Sequence, residues 1–376
     1  MSENEMGYRG SKSEFTKQDT QSKIVNFVKE QRVDGSCFGR RPKLRYTLMG
    51  GESRYQIKIP SNQINIKNYY CSNSYSNPTL ATPSLNPYFV TGFSDAEASF
   101  IILILKEPKN KTNWTVKTRF SIGLHKKDTL ILELIKSYFG GVGTISPQNK
   151  ESVQYRVGSL KDLNDKIIPH FDKYPLISKK QADFILFKKI INLMNHKEHL
   201  TLEGLQKILE IKGSLNLGLS DEIKTNFPNI KTIERPLVTK INEIDPNWIS
   251  GFTSGEGSFQ ILSRSSNNEL FARFSIHLHL RELEVLEGIS AYFKESDIKK
   301  LSLSEKSAQL QISKFSVVNN IVVPFFKKHP LLGMKSLDFI DFCTVCDILK
   351  TKKHLTSKSV YNQIIEIKSG MNLNRK

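Results

Sequence analysis

The sequence predicts an α+β fold made of two tandem αββαββα repeats with pseudo-two-fold symmetry and two antiparallel sheets. Three observations carry this. The first is an internal duplication, in which five segments recur in the same order. FVTGFSDAEASF (89–100) matches WISGFTSGEGSF (248–259), and FSIGLH (120–125) matches FSIHLH (274–279). YPLISKKQADF (174–184) matches HPLLGMKSLDF (329–339), KEHLT (197–201) matches KKHLT (352–356), and EIKGSLN (210–216) matches EIKSGMN (366–372). The offsets run from 154 to 159 residues, so only loops change length. That period is far too long for a solenoid and is that of a whole domain. The second is strand alternation: Trp114, Val116, Phe120, Ile122 and Leu124 share one face of an extended run. The third is helical spacing of Leu130, Ile131, Leu134, Ile135 and Tyr138.

The elements follow in order. A short apolar helix runs up to Glu97 in the first repeat (85–225) and to Glu256 in the second (246–376). A first strand is predicted over 99–106 or 258–264, a turn follows, and a second strand covers 113–125 or 269–279. An amphipathic helix begins near Asp128. Two more strands lie near 143–146 and 152–157, then near 301–304 and 308–313, and helices close each repeat. Residues 226–245, with Pro228 and Pro236, read as a linker. Residues 1–84 lie outside the duplication. Their Gly-, Ser- and Asn-rich stretches predict a partly disordered or exon-derived extension, with short strands at 46–49 and 55–59 at most.

Composition narrows the function classes. Lys and Arg number 55 against 37 Asp and Glu, a net charge of +18 that suits a polyanionic partner such as nucleic acid. No run of about 18 apolar residues exists, so no membrane partner is expected. No secretory leader is expected either, because the first twenty residues lack an apolar stretch. Four scattered cysteines (Cys37, Cys71, Cys343, Cys346) make no disulfide framework and point to a reducing compartment. The plentiful Lys, Asn and Ile fit an AT-rich, organellar genome. Phosphate-cradling GxGxxG and P-loop patterns are absent. Cys343-x-x-Cys346 has no partner pair and reads as core, and His196-x-x-His199 lacks the spacing of a metalloprotease helix.

The polar faces of the strands are candidates for reading bases. Thr115, Lys117, Arg119, Ser121, Gly123 and His125 share one face in the first repeat. Glu269, Phe271, Arg273, Ser275 and His277 share the equivalent face in the second, with Gln154, Arg156, Gln309, Gln311 and Ser313 from the fourth strands. Arg pairs with guanine and Gln with adenine, although alternation alone equally describes a solvated sheet. The duplication then filters the chemistry. Asp95 is replaced by Ser254 in the second copy, whereas Glu97 and Glu256 are an acidic pair shared inside the first motif. One such Glu alone would be an ordinary helix-end residue. Gly92 and Gly251, beside small Thr91 and Ser250, would let the two helices pack backbone to backbone, so that both carboxylates emerge together. Two adjacent carboxylates suit Mg²⁺ and phosphodiester hydrolysis. Lys180 and Lys335 also match, either as active-site cations or as contacts to a nucleic-acid backbone.

FVTGFSDAEAS and WISGFTSGEGS resemble the two signature motifs of monomeric LAGLIDADG homing endonucleases. LHKKD, KYPLI, KEHLT and the EIK helices resemble the fungal mitochondrial, intron-encoded branch, over about 85–373. The resemblance implies a saddle of two four-stranded sheets over a double-stranded DNA target of roughly two turns. It implies cleavage of both strands to leave short 3′ overhangs. It gives Glu97 and Glu256 the metal, helped by the carbonyls of Ala96 and Gly255, and makes Lys180 and Lys335 the basic active-site residues. Mg²⁺ or Mn²⁺ would support cleavage, and Ca²⁺ binding alone. The DNA face of the first strands would be Ser99, Ile101, Leu103 and Leu105, and Ser258, Gln260, Leu262 and Arg264. Three positions depart from the family pattern: Ala98 replaces a Gly, Leu124 and Leu278 stand where a water-orienting Gln is common, and the first strand is apolar on its DNA face. Some relatives instead help their intron RNA to fold, so an RNA-folding protein or a cleavage-deficient DNA binder is the alternative.

Overall fold

Both repeats open on a helix that the sequence caps and then stops. Asn86 accepts a hydrogen bond from the amide of Tyr88 (2.9 Å), and Pro87 occupies the first turn of α1 (Pro87–Glu97). Asp245 caps α7 (Pro246–Glu256) in the same way, through the amide of Asn247 (2.7 Å), with Pro246 at the helix start. Each helix ends on its glutamate because the next residue, Ala98 or Gly257, is already extended. The structure is a computed structural model and describes residues 85–238, 243–264, 269–293 and 301–375. The extension and the short strands predicted within it lie outside the described residues.

In the first repeat, β1 (Ala98–Lys106), β2 (Trp114–His125), α2 (Thr129–Tyr138), β3 (Thr144–Pro147) and β4 (Ser152–Val157) follow α1. A π-helical turn (Leu163–Ile167) then leads into α3 (Ile168–Lys173), followed by α4 (Lys180–Asn195), α5 (Leu202–Gly213) and α6 (Asp221–Asn226). The second repeat gives β5 (Gly257–Ser263), β6 (Leu270–His279), α8 (Leu283–Tyr292), β7 (Ser302–Leu303) and β8 (Ser307–Ile312) after α7. Its own π-helical turn (Val318–Val322) precedes α9 (Val323–Lys328), α10 (Met334–Thr351) and α11 (Lys358–Ser369). The sheets have orders β1-β2-β4-β3 and β5-β6-β8-β7, antiparallel throughout.

One face of each sheet packs on its helices around a phenylalanine. Phe100 touches Phe120, Phe171, Phe184 and Phe187, and its counterpart Phe259 touches Phe274, Phe326, Phe339 and Phe342. All of these are buried, and each contributes about 1.5–3 kcal/mol by leaving water. Cys346 belongs to the second core and Cys343 packs against it. Burial pushes the Cys346 thiol up to about 12.

The two cores meet where α1 crosses α7. A β-carbon on Gly92 would lie 2.1 Å from the carbonyl oxygen of Trp248, and one on Gly251 would lie 2.1 Å from that of Phe89. Only glycine admits main chain that close, so the backbones themselves form the junction.

The strand ends differ in detail from the sequence expectation. Lys126–Asp128 forms a 3₁₀ turn ahead of α2, β7 is two residues long, and Arg264, Glu269 and Ser313 fall just outside β5, β6 and β8. A strand ends where its partner ends, and that length is not written in its own residues.

Candidate functional site

The α1–α7 junction delivers Glu97 and Glu256 to one place. A β-carbon at Gly255 would sit 2.5 Å from the Ala96 β-carbon and 3.2 Å from Glu97 Oε1, so the two helix ends touch. Neither helix has a basic residue in its last turn, and both end on a carboxylate. A helix C-terminus is itself electronegative. The junction therefore concentrates negative potential that only cations can offset.

Two lysines approach it. Lys180 opens α4 and its Nζ donates to the Ser94 carbonyl at 3.0 Å. Lys335, in the first turn of α10, donates to the carbonyls of Gly257 and Gly255, the latter at 3.5 Å. Desolvation pushes the Lys180 ammonium below its ordinary pKa, while Asp95, Glu97, Glu256 and Glu282 oppose the shift. Glu97, Glu256, Lys180, Lys335, Ala96 and Gly255 all line one cleft.

Asp95 is placed elsewhere. It is fully buried and accepts from the amides of Ile177 (3.0 Å) and Ser178 (3.3 Å), the Ser178 hydroxyl (2.5 Å) and the Trp248 indole N–H (2.9 Å). Burial raises its pKa, and these hydrogen bonds with Lys180 pull the other way. Its counterpart Ser254 accepts from the Leu332 amide at 3.1 Å. Both residues hold the loop ahead of a lysine helix.

Sequence reasoning missed two further duplicated acid pairs. Asp183 and Asp338 accept from the amides of Asn216 (3.1 Å) and Asn372 (2.9 Å), and from Arg235 and Arg375 (2.8 Å each). The asparagines, both at positive φ, donate in turn to the carbonyls of Phe100 and Phe259. This sets Arg235 and Arg375 on the cleft wall. The other pair, Asp128 and Glu282, lies three residues beyond the matched FSIGLH and FSIHLH, whereas Asp183 and Asp338 stand inside the matched segments 174–184 and 329–339.

The sheets bring the expected polar faces together. Ser99, Ile101, Leu103 and Leu105 pair with Ser121, Arg119, Lys117 and Thr115. Gly123 and Ser121 pair with Gln154 and Arg156. In the second repeat Ser258, Gln260 and Leu262 pair with Ser275, Arg273 and Phe271, while His277 and Ser275 pair with Gln309 and Gln311. Thr144 and Ser146 of β3, which the sequence reading passed over, oppose Arg156 and Gln154 on this face. Arg264 and Glu269 sit beyond the strands as a salt bridge (3.0 Å), with Arg264 and Arg273 both over the Phe271 ring. Ser313 follows β8. Leu124 and Leu278 lie on the opposite face, packed into the two cores. Arg119 has its pKa lowered by burial and then by Arg156 beside it.

Two pseudo-symmetric sheets, joined by a helix pair that presents paired carboxylates and flanked by lysines of α4 and α10 beneath a basic polar surface, define a single-chain nuclease of double-stranded nucleic acid. The LAGLIDADG endonuclease family model matches residues 90–191 and 249–346, and the chain belongs to that family. It is similar to probable intron-encoded endonuclease 3 of Neurospora crassa, 39% identical over 381 residues that span 96% of this chain and 69% of the relative. Probable intron-encoded endonuclease 2 of the same organism is 37% identical over 347 residues, 89% of this chain and 75% of the relative. Among solved structures, the LAGLIDADG meganuclease I-CpaMI bound to uncleaved DNA is 45% identical with a TM-score of 0.73, covering 77% of this chain and 100% of that one. The I-SmaMI homing endonuclease bound to uncleaved DNA in the presence of calcium ions is 38% identical with a TM-score of 0.73, covering 77% of this chain and 99% of that one. As a member of the family the chain is a DNA endonuclease.

Proposed function

We propose that this homing endonuclease acts as a monomer in fungal-type mitochondria and cuts both strands of one DNA site with divalent metal held by Glu97 and Glu256. The observation that carries the reading is the pair of glutamates at touching helix ends. The donors fit a hard cation: two carboxylates, with the carbonyls of Ala96 and Gly255 beside them, at the electronegative end of two helices. Among the described residues no group of three or more His, Cys, Asp or Glu offers a rival site. When bound, Mg²⁺ or Mn²⁺ supplies charge stabilisation at the scissile phosphate and a more acidic water. The chain's own residues do the rest. Lys180 and Lys335 place positive charge where the phosphate gains negative charge. The sheet faces hold the major groove and fix the register of the cut. The relatives and neighbours carry endonuclease names, which favours this reading over an RNA-folding role.

The test is cleavage of DNA spanning the intronless insertion point. With Mg²⁺ a single double-strand break with short 3′ overhangs is expected, and with Ca²⁺ binding alone. Intact DNA under Mg²⁺ with binding preserved would leave only a DNA binder.

Two further outcomes follow from the surface. If about 6–10 phosphates are contacted, affinity should fall by about 10³–10⁵ between about 50 and 200 mM salt. A flat plot of log Kd against log salt would place the positive charge away from DNA. Base recognition should also be uneven. Ile101, Leu103 and Leu105 can read only methyl groups and shape, whereas Gln260 and Arg264 can make bidentate pairs that discriminate by about 1–3 kcal/mol each. Single-base changes under β1 should be tolerated better than those under β5 in a cleavage-competition scan. Equal stringency would mean that the cross-strand arms of Arg119 and Lys117 reach the same bases.

A further inference from the structure

Neither lysine-bearing helix is capped by the side chain at its own N-cap position, although within the first repeat the Ser178 hydroxyl accepts from the Lys180 amide at 3.1 Å. Lys179 precedes α4 and Gly333 precedes α10, and neither makes a side-chain cap hydrogen bond. A carboxylate acceptor for the amide just before each lysine comes from the other half of the molecule. Glu282, 3% exposed, extends from the turn after β6 and accepts from the Lys179 amide at 3.0 Å. Asp128, at the equivalent turn after β2, accepts from the Met334 amide at 2.8 Å. The exchange is reciprocal and obeys the internal symmetry, since Asp128 matches Glu282 and Lys179 matches Met334. It is also built in. Gly333 has a φ of +68°, and a β-carbon there would lie 2.3 Å from Asp128 Oδ1 and 2.5 Å from Ile131 Cδ1. Any larger residue would displace the carboxylate. The amides that receive these caps lie one residue before the ammonium groups that reach Ser94 and Gly255.

We propose that Asp128 and Glu282 are crossed positioning residues. Glu282 of the second repeat sets Lys180, and Asp128 of the first repeat sets Lys335, so each half-site is completed by the other repeat. A carboxylate at a helix start fixes the first turn and complements its dipole. A lysine in that first turn inherits the placement, and small displacements of a reacting group are costly in rate. The proposal rests on the reading of Lys180 and Lys335 as active-site groups.

The test is single-turnover cleavage of duplex DNA labelled separately on each strand, with Kd and melting temperature measured alongside. Lys180→Ala and Lys335→Ala first establish which strand each lysine serves. Glu282→Ala is then expected to slow the strand that depends on Lys180, and Asp128→Ala the strand that depends on Lys335. The expected slowing is on the order of tenfold to a hundredfold with Kd unchanged. Glu282→Gln and Asp128→Asn keep the acceptor oxygen and should restore most of the rate. Hydrogen exchange should show the first turn of α4 losing protection in Glu282→Ala, and that of α10 in Asp128→Ala. Equal slowing of both strands, slowing of the strand served by the repeat's own lysine, or no rescue by the amides would overturn the crossed caps. If neither lysine variant changes either strand's rate, the underlying reading of the lysines is wrong and the proposal falls with it. Lost protection in the cap variants would then mark the hydrogen bonds as structural only.

Discussion

Glu97→Gln or Glu256→Gln is expected to abolish double-strand cleavage while leaving most DNA binding in place. Glutamine keeps the shape of the side chain and removes the charge that holds a cation. Each glutamate ends its own helix at the contact of α1 and α7, so each substitution would remove one of the two proposed metal ligands. Removing one group that stabilises developing charge typically costs about 10²–10³-fold, and loss of metal would cost more. Binding should change little if, as proposed, the sheets and not the helix ends carry the phosphate and base contacts. Plasmid relaxation and linearisation in Mg²⁺, with gel-shift affinities beside them, measure both. Normal linearisation by either variant would remove the glutamates from the centre.

Gly92→Ala should have a large effect on stability. The added carbon would meet the Trp248 carbonyl oxygen at 2.1 Å and the Phe252 amide nitrogen at 3.0 Å, both main chain. Main chain cannot step aside as a flexible side chain can, so α1 and α7 must separate. Overpacking of this kind costs about 3 kcal/mol or more, which lowers Tm by about 6–12 °C in a domain of this size. Because the same helices carry Glu97 and Glu256, cleavage should fall further than stability alone explains. Gly158→Ala is the control. Its new carbon would make only an ordinary 3.5 Å contact with the Thr118 carbonyl, and it should melt near the parent temperature. A Gly92→Ala protein with unchanged melting would mean that the helix pair does not hold the repeats together.

The fold was legible because the duplication states each half twice. The strand faces were legible because a period of two leaves only two registers, and Phe100, Phe120, Phe259 and Phe274 choose between them. The same alternation assigns Leu124 and Leu278 to the core, although Leu124 also reaches the margin of the cleft. The contact of Gly92 with Trp248 could be anticipated from small residues in both helices. The crossed caps could not. Asp128 and Glu282 lie just beyond the matched strands, and their partners are main-chain amides about a hundred or more residues away, which no residue type advertises. Arg235 and Arg375 were hidden for a different reason. One comes from the stretch between the repeats and the other from the chain end, so they match in space without matching in sequence.

The hydrogen bond between Asp95 and the Trp248 indole joins the halves on one side only, because the symmetric positions are Ser254 and Phe89. It makes the partners unequal. Two first halves brought together would each bury an Asp95 facing a phenylalanine, with no indole N–H to donate to it. Asp95 would keep its bonds to Ile177 and Ser178, and the loss of the one bond across the halves costs about 1.5–3 kcal/mol. Two second halves would leave two indole N–H groups facing serines. Only the mixed pairing gives Asp95 the indole N–H, so the asymmetry favours joining a first half to a second half over joining like halves.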